Sequence, residues 1–204
     1  TVDAVRSVYV AGTTQAYVTN RIFAGDDIEI TADGNVTAGG AYLKTAGAGS
    51  DDAHILIRST SGSASGATLL TQGTGSRAGD ITVSGATSAT LTTGSSSRNL
   101  RINGASASVA NATAAGDVFV AASNGNASVT SSATAGDDVE ITASGGDVLA
   151  SGAILKSTGV GALDDAHVLA RSTTGAVNVG SAVTQGGGGA AGDIVIEASD
   201  IATL

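Results

Sequence analysis

Short stretches in which apolar and polar residues alternate recur along the whole chain. Ile28–Ile30 and Val118–Val120, for example, each carry two aliphatic residues separated by one different residue. Alternation with a period of two residues is typical of a half-buried β-strand. A second apolar position follows after a turn, as Val36 follows Asp33-Gly34. Because no stretch shows the helical period, the sequence predicts an all-β protein built from short strands.

The first apolar residue of each strand recurs at a nearly regular interval. Between Val8 and Ile194 the interval averages about 23 residues over eight steps. A repeat of this length is typical of a solenoid, in which each repeat forms one coil and the coils stack. The sequence therefore predicts about nine coils. Their first apolar residues are Val8, Ile28, Ile55, Ile81, Leu100, Val118, Val139, Val168 and Ile194.

A longer duplication contains these coils. AGDDIEITA at 24–32 returns as AGDDVEITA at 135–143, and DDAHILIRST at 51–60 returns as DDAHVLARST at 164–173. The offset between the two copies drifts only through single insertions, which indicates that the copies have the same structure.

The duplication divides the chain, residues 1–204, within a single solenoid segment. We assign 1–23 to the end of a preceding unit, 24–134 to a complete unit and 135–204 to a partial second unit. Neither terminus has the composition of a polar capping segment, so we expect the solenoid to belong to a longer protein.

Two architectures can accommodate such short strands, an antiparallel sandwich of hairpins and a parallel coil. Equivalent residues recur at one position of every repeat, and they stack into a continuous core only if successive coils run parallel and in register. A sandwich does not require this equivalence, so the repeat favours a parallel β-solenoid. At about 4.8 Å per coil, nine coils form a rod about 43 Å long.

The composition fits a slender core and limits the possible partners. Hydrophobic residues make up 42% of the chain, yet it has only two Phe, three Tyr and no Trp or Met. Thirty glycines without any proline exclude a collagen-like chain and assign glycine to turns. A net charge of -9 with scattered basic residues argues against nucleic-acid binding. No run of 18 apolar residues and no leader peptide occurs, so no membrane span is predicted.

Two repeats carry a family resemblance, AGDITVSGATSATLTTGSS at 78–96 and AGDVFVAASNGNASVTSSAT at 115–134. They resemble the repeats of filamentous haemagglutinin-like exoproteins and related giant adhesins of Gram-negative bacteria, and the resemblance covers nearly the whole chain. It implies a right-handed parallel β-helix, secretion, and a role in cell adhesion or biofilm cohesion. Four coils of 26 to 29 residues exceed the usual length in that family, and its amino-terminal secretion domain is absent, which leaves the secretion route open.

We therefore expect a structural and adhesive shaft segment of a large bacterial surface protein, located outside the cell. The alternative is a subunit of an extracellular filament or surface layer that polymerises end to end. The expected partners are copies of the same protein, a cell-surface receptor or a glycan. We do not expect an enzyme, because the chain offers neither an evident pair of catalytic carboxylates nor aromatic platforms for a sugar.

The two histidines of the chain lie in equivalent segments of the duplication. On a strand, Asp52 and His54 share one face, and Asp165 and His167 repeat the pair. Each pair supplies two ligands where transition-metal sites need three or four, and the pairs lie five coils apart. The sequence therefore predicts polar pairs on an outer wall, with these four residues as the metal candidates.

Aspartates recur directly before the first strand of several coils. Stacked carboxylates favour cation uptake, so calcium is an alternative to the simpler role of capping a turn. However, Asn99 and the histidines interrupt the row, and the sequence lacks a calcium-loop signature. No other cofactor is expected. The aspartates concerned are Asp27, Asp80, Asp117, Asp138 and Asp193.

The long coils contain additional residues at matching places, 39–50 in one copy and 151–163 in the other. Loops on a rigid scaffold often carry recognition, so we predict that these segments project and bind a partner. The predicted contact residues are Tyr42, Lys44, Ile154 and Lys156.

Overall fold

The computed structural model describes residues 1–48, 52–160, 166–186 and 191–204. These residues form one continuous sheet of eighteen strands and a short 3-10 turn at Gly75–Arg77. All described strand pairings are parallel, and this part of the chain contains no α-helix. Accordingly, no described helix has the length and apolar character needed to span a membrane.

The strands follow one another around a coil that has three walls. A coil begins with a first-wall strand, turns a corner into the second wall and then continues into the third. The strands are β1 Val2–Ala4, β2 Val8–Gly12, β3 Ala16–Tyr17, β4 Ile22–Ala24, β5 Ile28–Ala32, β6 Val36–Thr45, β7 Ile55–Ser59, β8 Ser63–Thr71, β9 Ile81–Ser96, β10 Leu100–Ala114, β11 Val118–Ala122, β12 Ala127–Ala135, β13 Val139–Ala143, β14 Val148–Ser157, β15 Ala166–Ser172, β16 Val177–Thr184, β17 Ala191–Glu197 and β18 Ala202–Thr203.

The first wall confirms the predicted coils residue by residue. Ile28 pairs with Val8 on one side and with Ile55 on the other, and the same register continues to Ile194. Every residue predicted to begin a coil therefore belongs to one aligned column. Within the described residues the chain is a parallel β-solenoid of about nine coils.

Two further columns line the second and third walls. The strand pairings skip residues where the chain turns between walls, for example between Gly104 and Ser106. The second-wall column is Ala16, Val36, Ala64, Ala89, Ala107, Ala127, Val148, Val177 and Ala202. The third-wall column is Val2, Ile22, Leu43, Leu69, Gly94, Ala112, Ala133, Leu155 and Ala182.

The third wall corrects the prediction of projecting loops. Tyr42 and Lys44 lie within β6, and Ile154 and Lys156 lie within β14, so all four residues are on strands. The prediction was wrong because small and polar residues such as Gly39 conceal the alternation at the start of this wall.

Most of the extra length of the long coils lies after the third wall. Two further residues lie at the corner between the second and third walls, where Ala38 and Tyr42 pair with Gly66 and Thr68. In a short coil, three residues lie between Ala114 at the end of β10 and Val118 in the next first-wall strand. In a long coil, nine residues lie between Thr45 and Ile55. Part of this connection, at 49–51 and in the equivalent segment at 161–165, lies outside the described residues.

The inward side chains of the three walls form one narrow core. Ile28, Ile55 and Ile81 stack in successive coils and are fully buried. Burying an aliphatic side chain of this size contributes about 1.5–3 kcal/mol relative to leaving it exposed. Alanine fills much of the second wall, which explains how a core without Trp or Met closes around a small cross-section.

The glycine of the repeated Ala-Gly-Asp turn is required by close approach to the preceding coil. A Cβ added at Gly79 would lie 1.9 Å from the carbonyl oxygen of Ala53. Neither group can move freely, because both belong to the backbone where adjacent coils meet. Gly39 differs, since the nearest atom to its added Cβ is the Ser65 Oγ at 3.8 Å.

We expect Ile81→Ala to lower the free energy of unfolding by about 2–5 kcal/mol, because the stacked column cannot collapse around the cavity. Thr90→Ala, at an exposed position of the same strand β9, should change it by less than about 0.5 kcal/mol. Urea denaturation of both variants measures the difference. Equal losses would contradict an interior built on this column.

We expect Gly79→Ala to destabilise the chain by about 1–3 kcal/mol, because the new Cβ forces the two coils apart. Gly39→Ala adds the same atom without a collision and should change stability by less than about 1 kcal/mol. Thermal unfolding followed by circular dichroism compares the two. Similar melting temperatures would show that the coils can adjust to the methyl group.

Candidate functional site

A ladder of side-chain oxygens runs along the corner that precedes the first wall. The backbone N–H of Asn99 donates to Asp80 Oδ1 at 3.0 Å, and that of Asp117 donates to Asn99 Oδ1 at 2.9 Å. The N–H of Asp138 in turn donates to Asp117 Oδ1 at 3.4 Å. These side chains cap the corner of the next coil. Asn99 continues the ladder because its amide oxygen is also an acceptor.

Both histidines occupy the same corner position and contact the preceding coil. The N–H of His54 donates to Asp27 Oδ1 at 3.2 Å. The His54 ring lies between two carboxylates, with Nδ1 3.0 Å from Asp27 Oδ1 and Nε2 3.0 Å from Glu29 Oε1. We name Asp27, Glu29 and His54 the first histidine cluster.

The second copy of the duplicated unit repeats this arrangement. The His167 Nδ1 lies 2.9 Å from Asp138 Oδ1, and its Nε2 lies 3.2 Å from Glu140 Oε1. The backbone N–H of His167 also donates to Asp138 Oδ1, at 3.0 Å. We name Asp138, Glu140 and His167 the second histidine cluster.

Asp52 contacts Arg98, whereas the sequence predicted that it would pair with His54. Its Oδ2 accepts a hydrogen bond from the guanidinium of Arg98 at 2.8 Å, whereas the His54 ring faces the coil below. Successive coils lie about 4.8 Å apart, closer than residues i and i+2 along an extended chain, so stacking across coils decides which groups meet. The equivalent aspartate, Asp165, lies outside the described residues.

Arg98 joins three successive coils at this corner. Its Nε and a terminal nitrogen donate to the two carboxylate oxygens of Asp80 at 2.8 and 2.9 Å, while it also holds Asp52. Burial raises the pKa of Asp80, but the hydrogen bonds from Arg98 and from the Asn99 N–H outweigh it, and the pKa lies below its usual value. Arg98 therefore neutralises this part of the acidic corner.

The corner around the second histidine cluster is more acidic than that around the first. Asp117 lies one coil before Asp138, whereas Ser7 takes the equivalent place before Asp27. Carboxylate oxygens of Asp117, Asp137 and Asp138 all lie within 4.8 Å of one another.

Burial and neighbouring charge raise the pKa of two of these carboxyls. For Asp117, burial is the largest cause, and the charge of Asp137 adds to it. For Asp138, burial again raises the pKa, the backbone N–H and the charge of His167 oppose it, and Asp137 and Asp117 raise it further. A cation at this corner would relieve that repulsion.

The second histidine cluster has the donors of a metal site. One ligand atom each from Asp138, Glu140 and His167 can be chosen so that all three lie within 4.8 Å of one another. An imidazole with two carboxylates suits a first-row transition metal, while calcium takes six to eight oxygens. The residues that could hold an ion therefore differ from the predicted pairs by including Glu140 and Asp138.

The four residues predicted to bind a partner form two separate places on the third wall. The ring of Tyr42 lies 5.8 Å from that of Phe23, and the Arg21 guanidinium lies 6.0 Å from the Tyr42 ring centre. Ile154 is 53% exposed and lies five coils away. The structure therefore does not combine these residues into one surface.

A shallow open depression of about 500 Å³ lies where the first wall meets the second. It crosses several coils and is lined by small and polar side chains, including those of Ser84, Asn103 and Ala121, with Arg58 among them. A surface of this kind offers contacts along the rod rather than a group of reacting side chains.

The carboxylate partners of the histidines were missed although the repeat contains the signal. Asp27 precedes Ile28 and His54 precedes Ile55, so the predicted register already places His54 directly after Asp27 in the stack. Glu29 follows on the same face of its strand. Comparing positions between coils, rather than within one coil, identifies all three residues.

We expect Asp117→Asn to raise the free energy of unfolding at pH 7 by about 0.5–1 kcal/mol in EDTA-containing buffer. The amide keeps the acceptor for the Asp138 N–H and removes the charge. Because the pKa of Asp117 is raised by folding, its ionisation lowers stability as pH rises through that raised value. The gain should disappear below the usual Asp pKa, where the carboxyl is protonated in both states.

Urea denaturation across pH 3 to 8 measures this difference. Asp3→Asn is the matched control, because it removes the same charge at an exposed position. An equal gain in both variants would assign the effect to net charge instead of to the corner.

Comparison with known proteins adds no family: no protein-family model matches the chain, and no curated protein and no solved structure matches it.

Proposed function

We propose that the chain is a rigid structural and adhesive shaft segment of a large secreted bacterial surface protein. The observation that carries the proposal is the unbroken first-wall column from Val8 to Ile194, which joins every described coil to the next. A chain built in this way extends in one direction only, and each coil adds the same rise. Such geometry suits a spacer that holds another part of a protein away from a surface.

Stiffness follows from the three walls. Bending the rod stretches backbone hydrogen bonds on at least one wall while the side chains on the opposite wall are compressed. The corner ladder adds side-chain hydrogen bonds between coils, as from Asp138 to Asp117, and Arg98 joins three coils by charge-assisted bonds. A shaft that resists bending transmits force and position.

The adhesive part of the proposal rests on the resemblance of the repeats to those of giant bacterial adhesins. We propose a location outside the cell, with other copies of the protein, a receptor or a glycan as partners. Two third-wall places offer contacts, one around Tyr42 and Lys44 and the other around Ile154 and Lys156. Both face outward from strands, so a partner would lie along the wall of the rod.

The duplication permits a direct test of the spacer. Inserting a second copy of residues 24–134 after Thr134 keeps every column in register and adds five coils. We expect the rod to lengthen by about 24 Å, at about 4.8 Å per coil, in small-angle X-ray scattering. An inserted copy of residues 24–122 serves as the control, because it contains four complete coils and only the first wall of a fifth, so it should lengthen the rod by about 19 Å, one coil less.

The same samples separate the shaft from a filament subunit. Analytical ultracentrifugation of a shaft segment should show a limited set of oligomers, whereas open-ended polymers would favour the filament. Adhesion is measured on bacteria that display the chain. The unaltered chain is compared with a variant that carries Tyr42→Ser, Lys44→Ser, Ile154→Ser and Lys156→Ser. If neither gave more attachment than bare cells, the adhesive role would be wrong and the spacer would remain.

A further inference from the structure

We propose that the second histidine cluster binds a divalent transition-metal ion through one imidazole nitrogen of His167 and one carboxylate oxygen each of Asp138 and Glu140. The inference is independent of the proposed shaft function, because it rests on side chains within two adjacent coils.

The three ligands lie on a rigid support. Asp138 and Glu140 belong to one coil, directly before and within β13, and His167 belongs to β15 of the next coil. Their donor atoms lie within 4.8 Å of one another. Ligand bonds of about 2.0–2.2 Å place donors roughly 3.3–4 Å apart, so small side-chain rotations are enough to close the site. The side chains are 18–31% exposed, which leaves room for water at the remaining position.

The His167 ring makes more contacts with carboxylates than a neutral imidazole can donate to. Both His167 nitrogens face a carboxylate oxygen, at 2.9 and 3.2 Å. A neutral imidazole carries one N–H, so one of these contacts sets a nitrogen lone pair against a negatively charged oxygen. A metal ion at that nitrogen converts the repulsion into two bonds. A second proton on the ring would also remove this repulsion, and zinc titration distinguishes the metal from the proton.

The surroundings favour a cation over a neutral arrangement. Asp117 and Asp137 place further carboxylates beside Asp138, and burial raises the pKa of both Asp117 and Asp138. Arg101 acts on Asp117 from the neighbouring strand, and His167 acts on Asp138. Among the described residues, Asp117, Asp137 and Glu140 thus all lie near the Asp138 carboxylate.

The first histidine cluster provides an internal comparison. Asp27, Glu29 and His54 have the same donors and similar contacts, with both ring nitrogens 3.0 Å from a carboxylate oxygen. Ser7 replaces Asp117 there, and its hydroxyl donates to Asp27 Oδ2 at 3.3 Å. The lower negative charge should give this cluster the weaker affinity.

Isothermal titration of the 204-residue chain with ZnCl₂ tests the proposal. His54→Gln serves as the background, because it leaves the second histidine cluster as the single cluster with an imidazole. In that background we expect one zinc ion to bind and to raise the melting temperature. His167→Gln or Glu140→Gln should weaken binding at least about tenfold, since each removes a ligand. Asp117→Asn should weaken it by about threefold, because it removes a nearby charge and no ligand.

Asp138→Asn is the most informative variant. The amide oxygen keeps the ladder acceptor, as Asn99 does, so the variant should fold with a circular dichroism spectrum like that of the parent. It should also lose zinc binding. Zinc binding that survives both Asp138→Asn and His167→Gln would place the ion elsewhere and overturn the proposal.

The proton alternative has its own signature. If the chain takes up no zinc and nitrogen-15 NMR spectra at pH 7 show both His167 ring nitrogens protonated, the positive charge is a proton and the proposal is wrong. If EDTA lowers the melting temperature of the parent chain and not that of His167→Gln, a metal is present and the proposal is supported.

Discussion

Each coil pairs with the next in parallel and in register, and the core and the surface of the rod both follow from this pairing. Backbone hydrogen bonds fix the rise at about one strand spacing, and equivalent side chains must then stack. Ile28, Ile55 and Ile81 become a continuous column for this reason. The same constraint acts at the surface, where it stacks carboxylates, amides and imidazoles as strictly as it stacks aliphatic groups.

Stacking of like residues is favourable in the core, but at an acidic corner it brings carboxylates together and they repel one another. The groups that reduce this repulsion differ along the chain. Asp80 meets Arg98, and Asn99 supplies a neutral acceptor. Asp117 and Asp138 are left with raised pKa values. The histidines follow the aspartates at two equivalent corners. Variation along an otherwise uniform rod is therefore concentrated in its electrostatics, which is where a site for a cation would arise.

The three-walled coil also explains where variation in length is tolerated. Long and short coils keep the same three columns and differ mainly in the connection between the third wall and the next first wall, as between Thr45 and Ile55, and by two residues at the corner between the second and third walls. Residues added there leave the pairing of the walls unchanged. Within the walls, by contrast, a one-residue shift would turn the inward side chains to the outside. The rod can thus vary its surface without changing its interior.

The fold class, the number of coils and the first-wall register could be predicted from the amino-acid sequence, because the spacing from Val8 to Ile194 repeats independently of the local turns. The sequence also indicated the second wall, through positions such as Val36. The third wall became evident only in the folded coil, because small residues hide its alternation and Tyr42 lies on a strand instead of a loop. The contact between Glu29 and His54 also became evident only in the folded chain. It is made across coils and depends on the direction of the side chains, which residue spacing along the sequence does not specify.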